Sequence, residues 1–223
     1  MLNKDKRSLL MCLVLGDGCL WTPKNNRGSK NDGRFIVEHC AAQKDYLSWK
    51  AALVGDAMGR LVKQEFRESV NSYKFQLYSR RFRSWYAACY PGRIKHRGRI
   101  FRFIRHPEMA LAIWMMDDGY IEPTIQDGIL YSACLRIFSC SSTPEDHEEI
   151  IGWIKTNFSV EPRILYQRTR GKAYPFLKFG ANDSMTLWKR LREFILQFDS
   201  MKHKFRYIEE RYQKKCLQNP PVA

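Results

Sequence analysis

One nine-residue phrase, written twice, limits what this chain can fold into. Leu111-Ala112-Ile113-Trp114-Met115-Met116-Asp117-Asp118-Gly119 is an apolar run that stops in two carboxylates and a glycine. The apolar residues from Met109 to Met116, with no β-breaker among them, predict a helix buried on nearly all sides. Ending such a helix in acid costs a few tenths to about 1 kcal/mol, because the macrodipole already places negative charge there. A positive group, most simply a divalent cation, relieves that cost. Leu10-Met11-Cys12-Leu13-Val14-Leu15-Gly16-Asp17-Gly18 has the same length, the same apolar body and the same Asp-Gly ending. No packing requirement seen in the sequence explains that shared ending.

Asp118 follows Asp17 by 101 residues, and the offset holds elsewhere without a gap: Ile36 falls on Ile137, Asp45 on Asp146, Leu53 on Ile154, Tyr73 on Tyr174 and Phe75 on Phe176. The chain therefore reads as a diverged tandem duplication of units of roughly 100 residues. Within each unit the order is α-β-β-α-β-β-α. The first unit has helices at 7–16, 44–59 and 81–89, with Ser8 or its charged neighbours as the first cap, and strands at 19–22, 34–41, 60–68 and 73–79. A polar loop spans 23–33 and a turn Ser69–Ser72. The second has helices at 108–117, 144–158 and 184–198, with strand edges near Tyr120 and strands at 129–140, 163–169 and 174–179. This is an α+β class with antiparallel sheets, divided as 1–92, a basic connector 93–107, 108–214 and a frayed tail 215–223. Parallel packing of the two apolar helices on a pseudo-twofold axis brings their acids to one edge, with Cys12, Gly16, Ala110 and Ala112 as small residues for the crossing. The two sheets then flank that edge as a saddle.

Thirty-eight Lys and Arg against twenty-three Asp and Glu give a net charge of +15 and favour a polyanionic partner. Seven scattered cysteines without a Cys-x-x-Cys pair argue against a zinc site or a disulfide framework and for a reducing compartment. The charged N-terminus, with its short apolar run, is neither a signal peptide nor a membrane span. An intracellular, non-secreted location follows as an expectation: a bacterial or phage-host cytoplasm, or an organelle matrix.

Two apolar nonapeptides ending in Asp-Gly, about 100 residues apart in a small basic chain, resemble the single-chain LAGLIDADG homing endonucleases. The resemblance covers residues 7 to 205. The endings Met116-Asp117-Asp118-Gly119 and Leu15-Gly16-Asp17-Gly18 are most similar to the branch containing the yeast mitochondrial omega-intron enzyme. The family implies Asp17 and Asp118 as the essential acids, each facing one scissile phosphate with Mg²⁺, for which Mn²⁺ can substitute. The backbone carbonyls of Gly16 and Asp117 are further metal ligands by the same resemblance. The Asp117 carboxylate itself is in doubt as a ligand, because its counterpart Gly16 has no side chain. A basic residue is implied beside each acid, at Lys95 and at Lys204. Pairing Lys95-His96 with Lys202-His203 favours Lys202, whereas the Met-x-x-Lys-apolar ending favours Lys204. Each lysine also has a plain reading as a phosphate contact.

Strand alternation offers Arg34, Lys63, Arg67, Lys74, Gln76, Arg136, Arg163 and Lys178 for the major groove, with Arg168, Arg170 and Lys172 at a hairpin tip. The resulting expectation is a monomeric, magnesium-dependent nuclease of intron homing. It cuts both strands of a long asymmetric DNA target, leaves 3′ overhangs, and has no membrane association and no obligate protein partner. The competing readings are a maturase that binds its own intron RNA and a DNA-binding regulator on the same scaffold. Both acids are retained and no added recognition domain is visible, which argues against these.

Overall fold

A computed structural model describes residues 4–22, 33–58, 63–68, 71–139 and 142–218, and the side chains of residues 56–58 and 63–67 lie outside what it describes. The 23–33 loop, save its last glycine, falls outside these residues, as do Ser69, Val70, Cys140, residues 219–223 and the Met58, Lys63 and Arg67 side chains.

The first half runs α1 (Lys4–Leu15), β1 (Cys19–Trp21), β2 (Gly33–Cys40), α2 (Lys44–Met58), β3 (Lys63–Glu68), β4 (Ser72–Ser79) and α3 (Arg81–Cys89). A short α4 (Arg97–Phe101) sits in the connector. The second half runs α5 (Pro107–Asp118), β5 (Gly119–Gln126), β6 (Ile129–Phe138), α6 (Pro144–Phe158), β7 (Arg163–Thr169), β8 (Lys172–Lys178), α7 (Ala181–Leu196) and α8 (Asp199–Gln218). Each half builds a four-stranded antiparallel sheet, ordered β1-β2-β4-β3 and β5-β6-β8-β7. The duplication is visible in the registers. Val37 pairs Phe75 in one sheet and Phe138 pairs Phe176 in the other, both members displaced by 101.

The motif helices α1 and α5 pack in parallel: Arg105 N, just before α5, donates to Ser8 Oγ at 2.7 Å, and Asp17 N donates to Asp117 Oδ2 at 2.9 Å at the other end. Leu10–Leu15 and Ala110–Met116 are at most 1% exposed. With about 1.5–3 kcal/mol for each large apolar side chain removed from water, this pair is the centre of the core. Each half also grips the other. Tyr46 and Trp49 of α2 meet Phe198 and Phe194 at ring distances of 5.1 and 5.4 Å, and Trp153 of α6 meets Phe101 of α4 at 4.2 Å.

Two expectations are corrected. Ser8 does not cap α1: the helix already includes Lys4, and Ser8 is buried inside it as the acceptor for Arg105. In the connector, α4 seats Gly98 N on Asp146 Oδ1 at 3.1 Å. Residues 199–218 form one helix, so the segment from Lys215 to Gln218 is helical rather than frayed. Met201, Phe205 and Ile208 are the buried stripe of that helix, and Trp188 stacks on Phe205 at 5.5 Å. No helix among the described residues is long and apolar enough to cross a membrane.

Candidate active site at the paired helix ends

Both motif helices are followed by a glycine for a steric reason. A Cβ built on Gly18 would lie 2.4 Å from Leu13 O, and one on Gly119 would lie 2.4 Å from Met115 O. The chain leaves each helix by folding back over its last turn, where only glycine fits. Packing thus accounts for the glycine of the repeated ending.

The acids are partly open to solvent, with side-chain exposures of 41% for Asp17 and 23% for Asp118. Burial, and next the charge of Asp117, push the Asp17 carboxyl up to about 6. Burial also raises Asp118, against the pull of Arg97. The Asp118 Oδ2 accepts from Trp114 Nε1 at 3.1 Å and from Arg97 Nη2 at 3.3 Å.

Beside each acid a lysine reaches the helix end. Lys95 Nζ donates to Gly16 O at 2.7 Å and to Gly18 O at 2.9 Å. Lys204 Nζ donates to Met116 O at 2.5 Å and to Asp117 O at 3.2 Å. Lys202 instead pairs with Asp199 at 2.5 Å on the surface. Of the two candidates, Lys204 therefore occupies the place equivalent to Lys95, although it arrives from a helix and Lys95 from a loop. Burial, then the neighbouring Arg97, pull Lys95 down to about 8. The carbonyls of Gly16 and Asp117 point to the same end as the acids, each holding a lysine.

The Asp117 carboxylate does not join this edge. It turns inward across the axis, with its side chain 0% exposed, onto Lys50 Nζ at 2.6 and 2.8 Å and the Tyr46 hydroxyl at 3.0 Å. Burial pushes this carboxyl up, but the Lys50 ammonium beside it outweighs that and holds the group below the usual carboxylate range. A buried ammonium neutralises the Asp117 carboxylate, which leaves its backbone carbonyl as the group at the acid edge. Asp17, His39 and Asp117 do present ligand-type atoms within 4.8 Å of one another. His39 is neutral, drawn down to about 4 by burial and then by Lys50. Its Nε2 accepts from Lys50 at 2.9 Å, so Nδ1 carries the proton, 3.1 Å from Gln43 Oε1 and 3.8 Å from Asp17 Oδ2. The donors at this edge are therefore hard oxygens: the carboxylates of Asp17 and Asp118, and the carbonyls of Gly16 and Asp117, which each keep a second lone pair beside their lysine. That set suits Mg²⁺ or Mn²⁺.

Sequence reasoning missed Lys50, Tyr46, His39, Trp114 and Arg97 as parts of this site. Tyr46, Lys50 and Val54 recur at four-residue spacing on the buried stripe of α2, and a lysine on such a stripe was the available signal.

The saddle residues are placed by register. In the first sheet Arg34, Lys74 and Gln76 share one face with Ile36 and Glu38. Arg34 lies over the Trp21 ring at 4.9 Å and bonds Gln76 Oε1 at 3.4 Å. Lys74 pairs with Glu38 at 2.7 Å. Gln76 is 3% exposed and also accepts from the Tyr78 hydroxyl at 3.1 Å, so Arg34 and Tyr78 cover it on this face. In the second sheet Arg136, Lys178 and Arg163 are adjacent across β6, β8 and β7, and Glu122 binds both Arg136 and Lys178. Arg168 falls on the opposite face from Arg163 by strand alternation. Arg170 and Gly171, with φ of 51° and 75°, make the two-residue turn that Lys172 follows.

A profile of the LAGLIDADG DNA endonuclease family matches residues 7–187. No curated protein matches in sequence. Among solved structures the chain is similar to the homing endonuclease I-WcaI bound to its DNA recognition sequence, at 18% identity and a TM-score of 0.64, covering 92% of this chain and 87% of that one. It is similar to I-DmoI in complex with DNA and Ca, at 15% identity and a TM-score of 0.56, covering 84% and 89%. The LAGLIDADG homing endonuclease I-GzeII in complex with a DNA target aligns at 10% identity with a TM-score of 0.58, over 98% and 94%. These likenesses carry the fold, and the profile carries the kinship: the chain belongs to the LAGLIDADG DNA endonuclease family.

Proposed function

We propose that this protein is a monomeric, site-specific DNA endonuclease that cuts both strands of one long asymmetric target with Mg²⁺ and leaves 3′ overhangs. The observation that carries the reading is the paired construction of the helix ends. Two part-exposed acids lie at one edge, each next to a lysine bound to the carbonyl that precedes the acid. Asp17 and Asp118, with the Gly16 and Asp117 carbonyls, would hold the cation. A bound divalent ion lowers the pKa of an attacking water and stabilises charge on a leaving 3′ oxygen. Lys95 and Lys204 fix the helix ends and present positive charge to a transferring phosphate. Arg97 and Trp114 hold the Asp118 carboxylate by hydrogen bonds to Oδ2.

The two saddle faces differ in nearly every residue, which supports an asymmetric target read by one chain. The similarity of the motif endings supports kinship with the omega-intron branch and a role in intron homing. Free cysteines, two of them fully buried at Cys12 and Cys89, support a reducing intracellular compartment.

The test is cleavage of a randomised-site DNA library with Mg²⁺ against Ca²⁺, with Asp17→Asn and Asp118→Asn alongside. One long site cut by the wild type with Mg²⁺, and loss of double-strand cleavage in each variant, supports the reading. Absence of any cut site, with binding to the intron RNA intact, replaces it with the maturase reading.

A further inference from the structure

We infer that Asp117, reaching across the pseudo-twofold axis, and Lys50, which holds it there, are positioning residues that set the first acid, Asp17, so that the two cutting sites are unequal by construction. The inference rests on the proposed reading in which each acid serves one strand.

The asymmetry begins with one side chain. Asp117 is the counterpart of Gly16, and its carboxylate passes over Gly16 into the first half. There Oδ2 accepts the backbone N–H of Asp17 at 2.9 Å. That N–H is one of the last peptide groups before the acid, so its acceptor fixes the direction in which the Asp17 side chain leaves the backbone. Asp117 is itself held by Lys50 and Tyr46 of α2, while Lys50 is 0% exposed and also donates to His39. His39 in turn places Nδ1 3.8 Å from the Asp17 carboxylate.

Among the described residues, nothing equivalent surrounds the second acid. Displacement by 101 turns Lys50 into Ile151 and Tyr46 into His147, and His147 is engaged with Ser139 Oγ at 2.8 Å. Asp118 is gripped directly on its carboxylate, by Arg97 and Trp114. One acid is thus set through its backbone by a buried ion pair and the other through its carboxylate by two donors. A buried ion pair is also a weak device for stability alone, because apolar residues of similar volume often serve as well.

The test uses the full chain and three forms: wild type, K50M/D117L and K50M/D117N. The first double variant removes both charges and the acceptor for Asp17 N–H. The second removes the charges but keeps an amide oxygen as acceptor. Single-turnover cleavage of a duplex labelled on both strands gives a rate for each strand. For K50M/D117L one strand slows on the order of tenfold or more, as expected for a misplaced ligand, nicked DNA accumulates, and the other strand stays within about threefold. For K50M/D117N the balance between strands returns toward wild type. The Asp17 amide, followed by NMR, shifts and exchanges faster in the leucine variant and not in the asparagine one. Equal slowing of both strands, no slowing, or an unchanged Asp17 amide in K50M/D117L overturns the inference. The amide readout needs no cleavage, so a wild type that cuts nothing refutes the nuclease reading while the Asp117–Asp17 contact is still judged on its own.

Discussion

The Asp117 carboxylate fills the space that a side chain on residue 16 would need: a Cβ built on Gly16 falls 2.1 Å from Asp117 Oδ2. Real Cβ atoms do not approach oxygen so closely, and the carboxylate cannot step aside without leaving Lys50 and Tyr46. Gly16→Ala is therefore expected to destabilise by about 1–3 kcal/mol, the usual cost of overpacking a tight core. For a chain of this size that lowers Tm by roughly 2–4 °C per kcal/mol. Thermal unfolding checks this, and a Tm within a degree of wild type means the motif helices are not locked at this crossing.

Lys50 tests the buried pair as a stability element. Lys50→Met leaves Asp117 charged with no cation beside it at 0% exposure. Removing one partner of a buried pair typically costs about 3–5 kcal/mol, whereas replacing both by apolar groups is often near neutral. Urea denaturation should therefore rank Lys50→Met well below wild type and K50M/D117L close to it. A single variant as stable as the double one would mean that Asp117 simply takes up a proton at little cost.

Much of this architecture was legible because its signals are local and written twice. The apolar bodies of α1 and α5, the Asp-Gly endings and the 101-residue offset need only one chain to be seen, and the registers Val37–Phe75 and Phe138–Phe176 keep that offset. Lys204 was legible from a short pattern, but its choice over Lys202 required the fold, since both lysines lie in the same turn region and differ in which carbonyl or carboxylate they reach. Lys50 was illegible for a physical reason. A lysine on a helix is ordinarily solvated, and only a carboxylate 67 residues away in sequence makes its burial tolerable. Helix α8 was missed because charge dominates its composition, and its narrow stripe at Met201, Phe205 and Ile208 is easily read as a basic loop.

The two site lysines and their neighbour separate placement from charge. Lys95 and Lys204 each bind two carbonyls at a helix end, while Lys202 bridges to exposed Asp199. Lys95→Met and Lys204→Met are expected to lower kcat on the order of a hundredfold to a thousandfold, the range seen when one charge-stabilising donor is removed. Lys202→Met should stay within about threefold, since an exposed ion pair contributes little. Steady-state cleavage of the cognate duplex decides it. Equal losses at Lys202 and Lys204 would assign both to general phosphate attraction.

The pH profile follows from the two perturbed groups at the first site. Burial and Asp117 raise the Asp17 carboxyl to about 6, so below that pH it is protonated and unable to serve as the proposed cation ligand. Asp118, also raised by burial, adds to the loss on the same side. Burial and Arg97 lower Lys95 to about 8, so above that pH its positive charge fades. Both groups are in their working forms only between these values, and kcat/KM, which reports the free enzyme, should trace a bell between about pH 6 and pH 8. Two changes identify the limbs. Higher Mg²⁺ should move the acid limb down, because metal competes with the proton for Asp17. Lys95→Arg should move the alkaline limb up, since guanidinium stays charged throughout the range. An alkaline limb that stays in place in the arginine variant would assign it to another group, and an acid limb indifferent to Mg²⁺ would remove Asp17 from the metal site.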